Sequence, residues 1–98
     1  MEIKQSATAG ALESGDAEIS ISESDKPGLE ISIQSTVKAQ FGDSILDTVG
    51  EVLESFRISQ AVVHVDDRAA LDYVIRSRTQ VACCRATGGR FNWKGGDC

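Results

Sequence analysis

The sequence predicts an α+β fold: a small antiparallel-containing sheet in the element order β-β-β-α-β-α, with two helices packed on one face. Three observations lead to it. Residues 17–22 and 29–35 alternate apolar and polar side chains, the period of a strand with one wet side. Residues 45–56 carry apolar side chains at helical spacing instead. A β-branched run at 60–65 then separates them from a second helical stretch. Strands gathered ahead of the helices favour a sheet covered on one face.

Taken in order, residues 7–13 are small and lack a clear period, and they read as a first strand. In Ala17–Ser22, Ile19 and Ile21 share the inward face. Glu23–Gly28 is a turn, because Pro27 fixes its own φ and Gly28 permits a positive one. Leu29, Ile31 and Ile33 repeat the inward pattern, so the two runs are expected to pair as an antiparallel hairpin. Thr36–Gly42 allows a short turn of helix that Gly42 interrupts.

Asp43 is the expected N-cap of a helix from about Ser44 to Phe56, with Ile45, Val49, Val52, Leu53 and Phe56 as its apolar stripe. Asp47 near its start and Arg57 near its end would suit the helix dipole. Gly50 costs roughly 1 kcal/mol inside a helix and suggests close packing on the sheet. The strand Gln60–Val65 has apolar residues on both faces and is expected at the centre of the sheet. Asp66 or Asp67 then caps a second helix through about Ala86. Its expected inward stripe is Leu71, Val74, Ile75, Ala82 and one of Cys83 and Cys84, with Arg68, Arg76, Arg78 and Arg85 on its other sides. Gly88-Gly89 ends that helix, leaving residues 1–86 as one domain and 87–98 as a Gly-rich, flexible tail.

Composition bounds the function. The chain has 98 residues, enough for one modest core. A net charge of −5 argues against nucleic-acid binding, which needs clustered Lys and Arg. No apolar run approaches membrane-spanning length, and the N-terminus lacks the regions of a signal peptide, so a cytoplasmic location is expected. The three cysteines, Cys83, Cys84 and Cys98, have no zinc-like spacing and are expected as free thiols, one of them packed as a small hydrophobe. His64 is the only histidine and has no catalytic partner in sequence. Asp66-Asp67 needs no role beyond a loop and cap, so neither a catalytic nor a metal site is assigned.

On chemistry alone, Ser14, Gly15 and Asp16 are ordinary turn residues between two strands. A serine hydroxyl is a poor nucleophile without a base. Three segments change this reading. The run Ala9-Gly10-Ala11-Leu12-Glu13-Ser14-Gly15-Asp16 resembles the N-terminal signature of the citrate lyase acyl carrier protein family, the gamma chain of that enzyme. Gln40-Phe41-Gly42-Asp43 and Val65-Asp66-Asp67-Arg68-Ala69-Ala70-Leu71-Asp72 resemble it as well, in the same order. The helix 73–86 continues the likeness, which covers most of residues 3–86.

The resemblance implies a non-catalytic, cytoplasmic carrier subunit of a citrate (pro-3S)-lyase in citrate fermentation. Ser14 would bear 2'-(5''-phosphoribosyl)-3'-dephospho-CoA through a phosphodiester, making the chain a phosphoprotein. The group would carry acetyl and citryl thioesters during cleavage of citrate to acetate and oxaloacetate. Implied partners are the transferase (alpha) and lyase (beta) subunits of a multimeric complex, the latter using a divalent metal such as magnesium. A prosthetic-group transferase and an acetate-loading ligase are implied too. The alternatives are a malonate decarboxylase-type carrier, which uses the same kind of group, and a small non-carrier interaction protein.

Gly42-Asp43-Ser44-Ile45 also looks like the serine segment of ordinary acyl carrier proteins. There the serine opens a helix, where a phosphate is favoured. Those carriers are helical bundles, whereas a period-two hairpin precedes Ser44, which therefore reads as a helix-opening residue. One departure concerns Ala69, where the family usually has glycine. Alanine is the better helix former and is expected to firm the start of the second helix.

Overall fold

The computed structural model describes residues 3–35 and 38–88, with backbone alone for 38–41. The elements are β1 (Ala7–Gly10), β2 (Ala17–Ser22), β3 (Gly28–Ser35), α1 (Lys38–Ser55), β4 (Gln60–Asp67) and α2 (Asp72–Ala86). This is the expected α+β order. The strands form one mixed sheet in the order β1-β2-β4-β3, and both helices cover its apolar face.

The expected hairpin between 17–22 and 29–35 does not form. β4 lies between the two strands, antiparallel to β2 and parallel to β3. Alternation fixes which face a side chain joins, not which strand lies alongside. The Pro27-Gly28 segment is therefore a connection across β4 rather than a hairpin turn. The unit β3–α1–β4 is a crossover between parallel strands. The central position expected for β4 holds.

Register explains the core. Ile19 lies opposite Val65 and Ile21 opposite Val63, while Ile31 and Ile33 meet the same two valines from the other side. Ala9 and Ala7 of β1 extend this face beside Ile19 and Ile21. Ile45, Val49, Val52, Leu53 and Phe56 of α1 cover it as the spacing predicted, with Phe56 wholly enclosed. Burying such a side chain contributes about 2–3 kcal/mol. From α2 come Ile75, Thr79, Ala82, Cys83, Cys84 and Ala86. Leu71, assigned to the inward stripe, is 62% exposed because the helix begins only after it. The opposite sheet face is polar, and on it the Ser32 hydroxyl lies 3.0 Å from His64 Nδ1. Among the described residues, no helix is long and apolar enough to cross a membrane.

Helix boundaries depart from expectation. α1 begins at Lys38, so Asp43 and Ser44 are interior, Gly42 does not break the helix, and Asp47 lies too far along to meet the dipole. One glycine costs roughly 1 kcal/mol, too little to stop a helix held by tertiary packing. At the other end, Arg57 N–H donates to the Glu54 carbonyl and Ile58 N–H to the Leu53 carbonyl. This is a Schellman cap, with Arg57 (φ 56°) where glycine is usual, beyond the last helical turn. Nothing lies within 4 Å of a Cβ built on Gly50, so it serves no close packing.

Neither Asp66 nor Asp67 caps α2. Both finish β4, and the cap position falls to Leu71, which makes no side-chain cap bond. Asp67 is buried and accepts hydrogen bonds from the Ser35 hydroxyl (2.7 Å) and the Ala70 amide (2.9 Å). Ala69 is outside the helix at φ 62°, so it does not firm the helix start. Both Cys83 and Cys84 are buried, where one was expected. Burial pushes the free Cys83 thiol up to about 12, leaving it inert. Cys84 is disulfide-bonded, which corrects the expectation of three free thiols. A disulfide joins residues by where the chain returns, which spacing does not show. The tail expected at 87–98 lies outside the described residues beyond Gly88.

Candidate functional site

β1 is shorter than the predicted 7–13, and the loop 11–16 between β1 and β2 carries Ser14. The chain leaves β1 at Gly10 (φ 92°), where a Cβ would overlap the carbonyl oxygen of Ala17. Only glycine permits that approach. Leu12, Glu13, Ser14 and Gly15 are all exposed. Gly15 (φ 82°) has no atom within 4 Å of a Cβ position, so the space beside Ser14 is open.

The base of this loop is fastened while its tip is free. Asp16 N–H donates to the Glu13 carbonyl at 2.9 Å, closing a tight turn around Ser14. Gly15 N–H donates to the Arg68 carbonyl at 2.7 Å, and Arg68 N–H to the Asp16 carbonyl at 2.9 Å. These two bonds carry the β2–β4 pairing one residue beyond the Ala17–Asp67 register pair. The Asp16 carboxylate accepts from Ala17 N–H at 2.7 Å and from both Nε and an Nη of Arg78, at 3.0 and 3.1 Å. The Arg78 guanidinium, first, and the Ala17 amide hold this carboxyl below its ordinary range, outweighing burial, which acts the other way. Asp16 in turn raises the Arg78 pKa.

Ala17, Asp67 and Ser35 are in register, so the loop lies at the end where β3 and β4 finish and both helices begin. An exposed hydroxyl on a turn held from below is chemically suited to being modified. An enzyme can reach it, and the chain beneath it is already ordered. Among the described residues no base is arranged for Ser14 to act as a nucleophile: Asp16 is committed to Arg78, and Asp67 to Ser35 and the Ala70 amide.

The other candidates sit apart. Ser44 is exposed six residues past Lys38, well beyond the free amides of the helix start. That removes the physical basis for a phosphate there. His64 faces solvent on the open sheet face and is engaged by Ser32. Asp66 forms an ion pair with Arg68 Nε at 3.0 Å, without hydrogen-bond geometry. Among the described residues, no group of three His, Cys, Asp or Glu could hold a metal. The arginines of α2 are largely spent internally, Arg76 on Glu51 (2.8 Å) and Arg85 on the Thr8 carbonyl (3.0 Å). Sequence reading missed the Asp16–Arg78 fork, since nothing local links residues 62 positions apart. The available signal was an acid beside the turn and an unassigned arginine on α2.

Residues 4–86 match the family model for acyl carrier proteins described as the malonate decarboxylase delta subunit (MdcD). Three relatives are similar over nearly the whole chain, each named citrate lyase acyl carrier protein. That of Latilactobacillus sakei is 44% identical, covering 96% of this chain and 93% of the relative. That of Haemophilus ducreyi is 42% identical (96% and 97%), and that of Clostridium perfringens 40% (95% and 93%). The chain belongs to the citrate lyase acyl carrier protein family. The fold of this citrate lyase carrier family member is also found in a solved malonate decarboxylase hetero-tetramer from Pseudomonas, in complex with malonate. The match there has a TM-score of 0.70 at 21% identity, covering 85% of this chain and 84% of that one. Membership in an acyl carrier family brings with it a covalently bound prosthetic group. The open surroundings of Ser14 fit the attachment of a bulky one.

Proposed function

We infer that this chain is the acyl carrier subunit of a citrate lyase, and that Ser14 is where its prosthetic group is attached. The observation that carries the site is the exposed Ser14 at the tip of a turn anchored by Arg68 and Arg78. The citrate reading is favoured over the malonate one by identity: 40–44% to citrate lyase carriers, against 21% to the malonate decarboxylase structure.

On this reading residues 1–86 are the carrier domain, and the chain is not itself a catalyst. The group, 2'-(5''-phosphoribosyl)-3'-dephospho-CoA joined through a phosphodiester, supplies a thiol on which acyl groups travel as thioesters. The chain's own contribution is placement. Asp16, held by Arg78, and the Gly15–Arg68 backbone bond keep the tether point fixed. Gly15 leaves room for a modifying transferase and for catalytic sites to approach. Tethering turns each encounter into an intramolecular one at high effective concentration. The partners would be the transferase (alpha) and lyase (beta) subunits in one cytoplasmic complex, with an acetate-loading ligase.

Intact and peptide mass spectrometry on protein from its native cells grown on citrate tests this. The expected result is one adduct of the group's mass on the peptide containing Ser14. An adduct on Ser44 instead, or none while citrate lyase is active in the same cells, would overturn it.

A further inference from the structure

An apolar groove of about 450 Å³ opens between α1 and the segment that joins β4 to α2. Its floor is Ile45 of α1 and Ile75 of α2, both nearly fully buried, and its lip is Ala69, Ala70 and the exposed Leu71. The volume falls in the range of about 300–1,000 Å³ typical of small-molecule sites. Polar groups are few: Ser44 offers a hydroxyl, and the Asp72 carboxylate accepts from Thr48. The groove starts at the residue following Arg68, and the Arg68 carbonyl holds the Gly15 amide. The attachment turn and the groove therefore share one stretch of backbone.

We propose that this groove is the resting site of the thiol-ended, pantetheine-type arm tethered at Ser14, a proposal that rests on the attachment reading above. The arm's methylenes and geminal methyls match the alanine, leucine and isoleucine walls, and its amides can use the Ser44 hydroxyl. Docked there, the arm's thiol is withdrawn from water and from stray reagents, and a catalytic subunit must draw it out. This gives Ser44 and the exposed Leu71 a use that the fold alone does not require.

The test starts from loaded protein whose Ser14 adduct has been verified by mass, followed by alkylation of the arm's thiol with a neutral reagent. Alkylation in the native protein is expected to be slower than in the Ser14 peptide released by proteolysis by roughly fivefold, as for an arm docked about four-fifths of the time. Leu71→Glu and Ser44→Phe, both at exposed positions, should each restore most of the rate while the circular dichroism spectrum is unchanged. The Ile45 and Ile75 methyl resonances should shift between unloaded and loaded wild-type protein. Equal alkylation rates, protection that survives both substitutions, or unshifted methyls would overturn the resting site and leave the Ser14 attachment standing. Methyls that shift only when a catalytic subunit is added to unloaded protein would overturn it in favour of partner docking. Absence of any Ser14 adduct would overturn both readings together.

Discussion

Arg78 grips both carboxylate oxygens of Asp16, at 3.0 and 3.1 Å, across 62 residues of sequence. This fork joins the second helix to the turn that carries Ser14. The Arg78 side chain is 42% exposed, so solvent screens the pair, and Arg78→Gln is expected to cost about 0.5–1 kcal/mol at neutral pH. Asp16 titrates below its ordinary 3.8 in the native state, so its stabilisation is complete above that value. It is lost as pH falls through the lower native pKa. Urea denaturation of both proteins at pH 7 and pH 3 should show the gap closing in acid. A constant gap would mean the fork contributes through packing alone.

Gly50 and Ala69 each hold the residue better suited to the other. Gly50 is helical with open space around it, so Gly50→Ala should stabilise by about 1 kcal/mol. Ala69 sits at φ 62°, where a Cβ costs roughly 1–2 kcal/mol. Ala69→Gly gives part of that back to unfolded-chain entropy, leaving a net gain of about 0.5–1 kcal/mol. Denaturant midpoints of the two variants check both signs, and the double variant should be additive.

Gly10, at the end of β1, and Gly15, in the loop that carries Ser14, separate steric from conformational demands. Both have positive φ, but only at Gly10 would a Cβ strike backbone, the Ala17 carbonyl. Gly15→Ala is expected to lose about 1 kcal/mol from its backbone conformation. Gly10→Ala must move a strand end and should lose at least roughly twice that. Thermal melts would refute the distinction by showing equal losses.

Ser44→Ala should leave loading unchanged and Ser14→Ala should abolish it, with both proteins folded, because each side chain is exposed. The mass of each variant after incubation with the prosthetic-group transferase decides this. Loss of the adduct in Ser44→Ala would return the carrier serine to the first helix.

Pattern in the sequence was enough for the inward faces of β2 and β3, the stripe on α1 and the central place of β4. Each depends on local periodicity. What it could not supply was adjacency. Ile19 and Ile31 alternate identically, and nothing in either run shows that Val63 and Val65 separate them. The same limit hid the Asp16–Arg78 fork. Helix starts do not follow from side-chain capping rules where tertiary packing decides them: α1 runs through Gly42, and α2 begins after Leu71, which makes no side-chain cap bond. Ser14 itself was legible only through likeness, since its local chemistry is that of any turn.

The insertion of β4 between earlier strands also sets a timetable. As the chain emerges from a ribosome, β2 and β3 are made first but have no common partner until residue 67 has followed. The Ser14 turn waits longer, for the Arg68 carbonyl and then for Arg78 on α2. A transferase that recognises the finished turn can therefore act only after Arg78 has been made and packed, so chains truncated before it would escape being loaded.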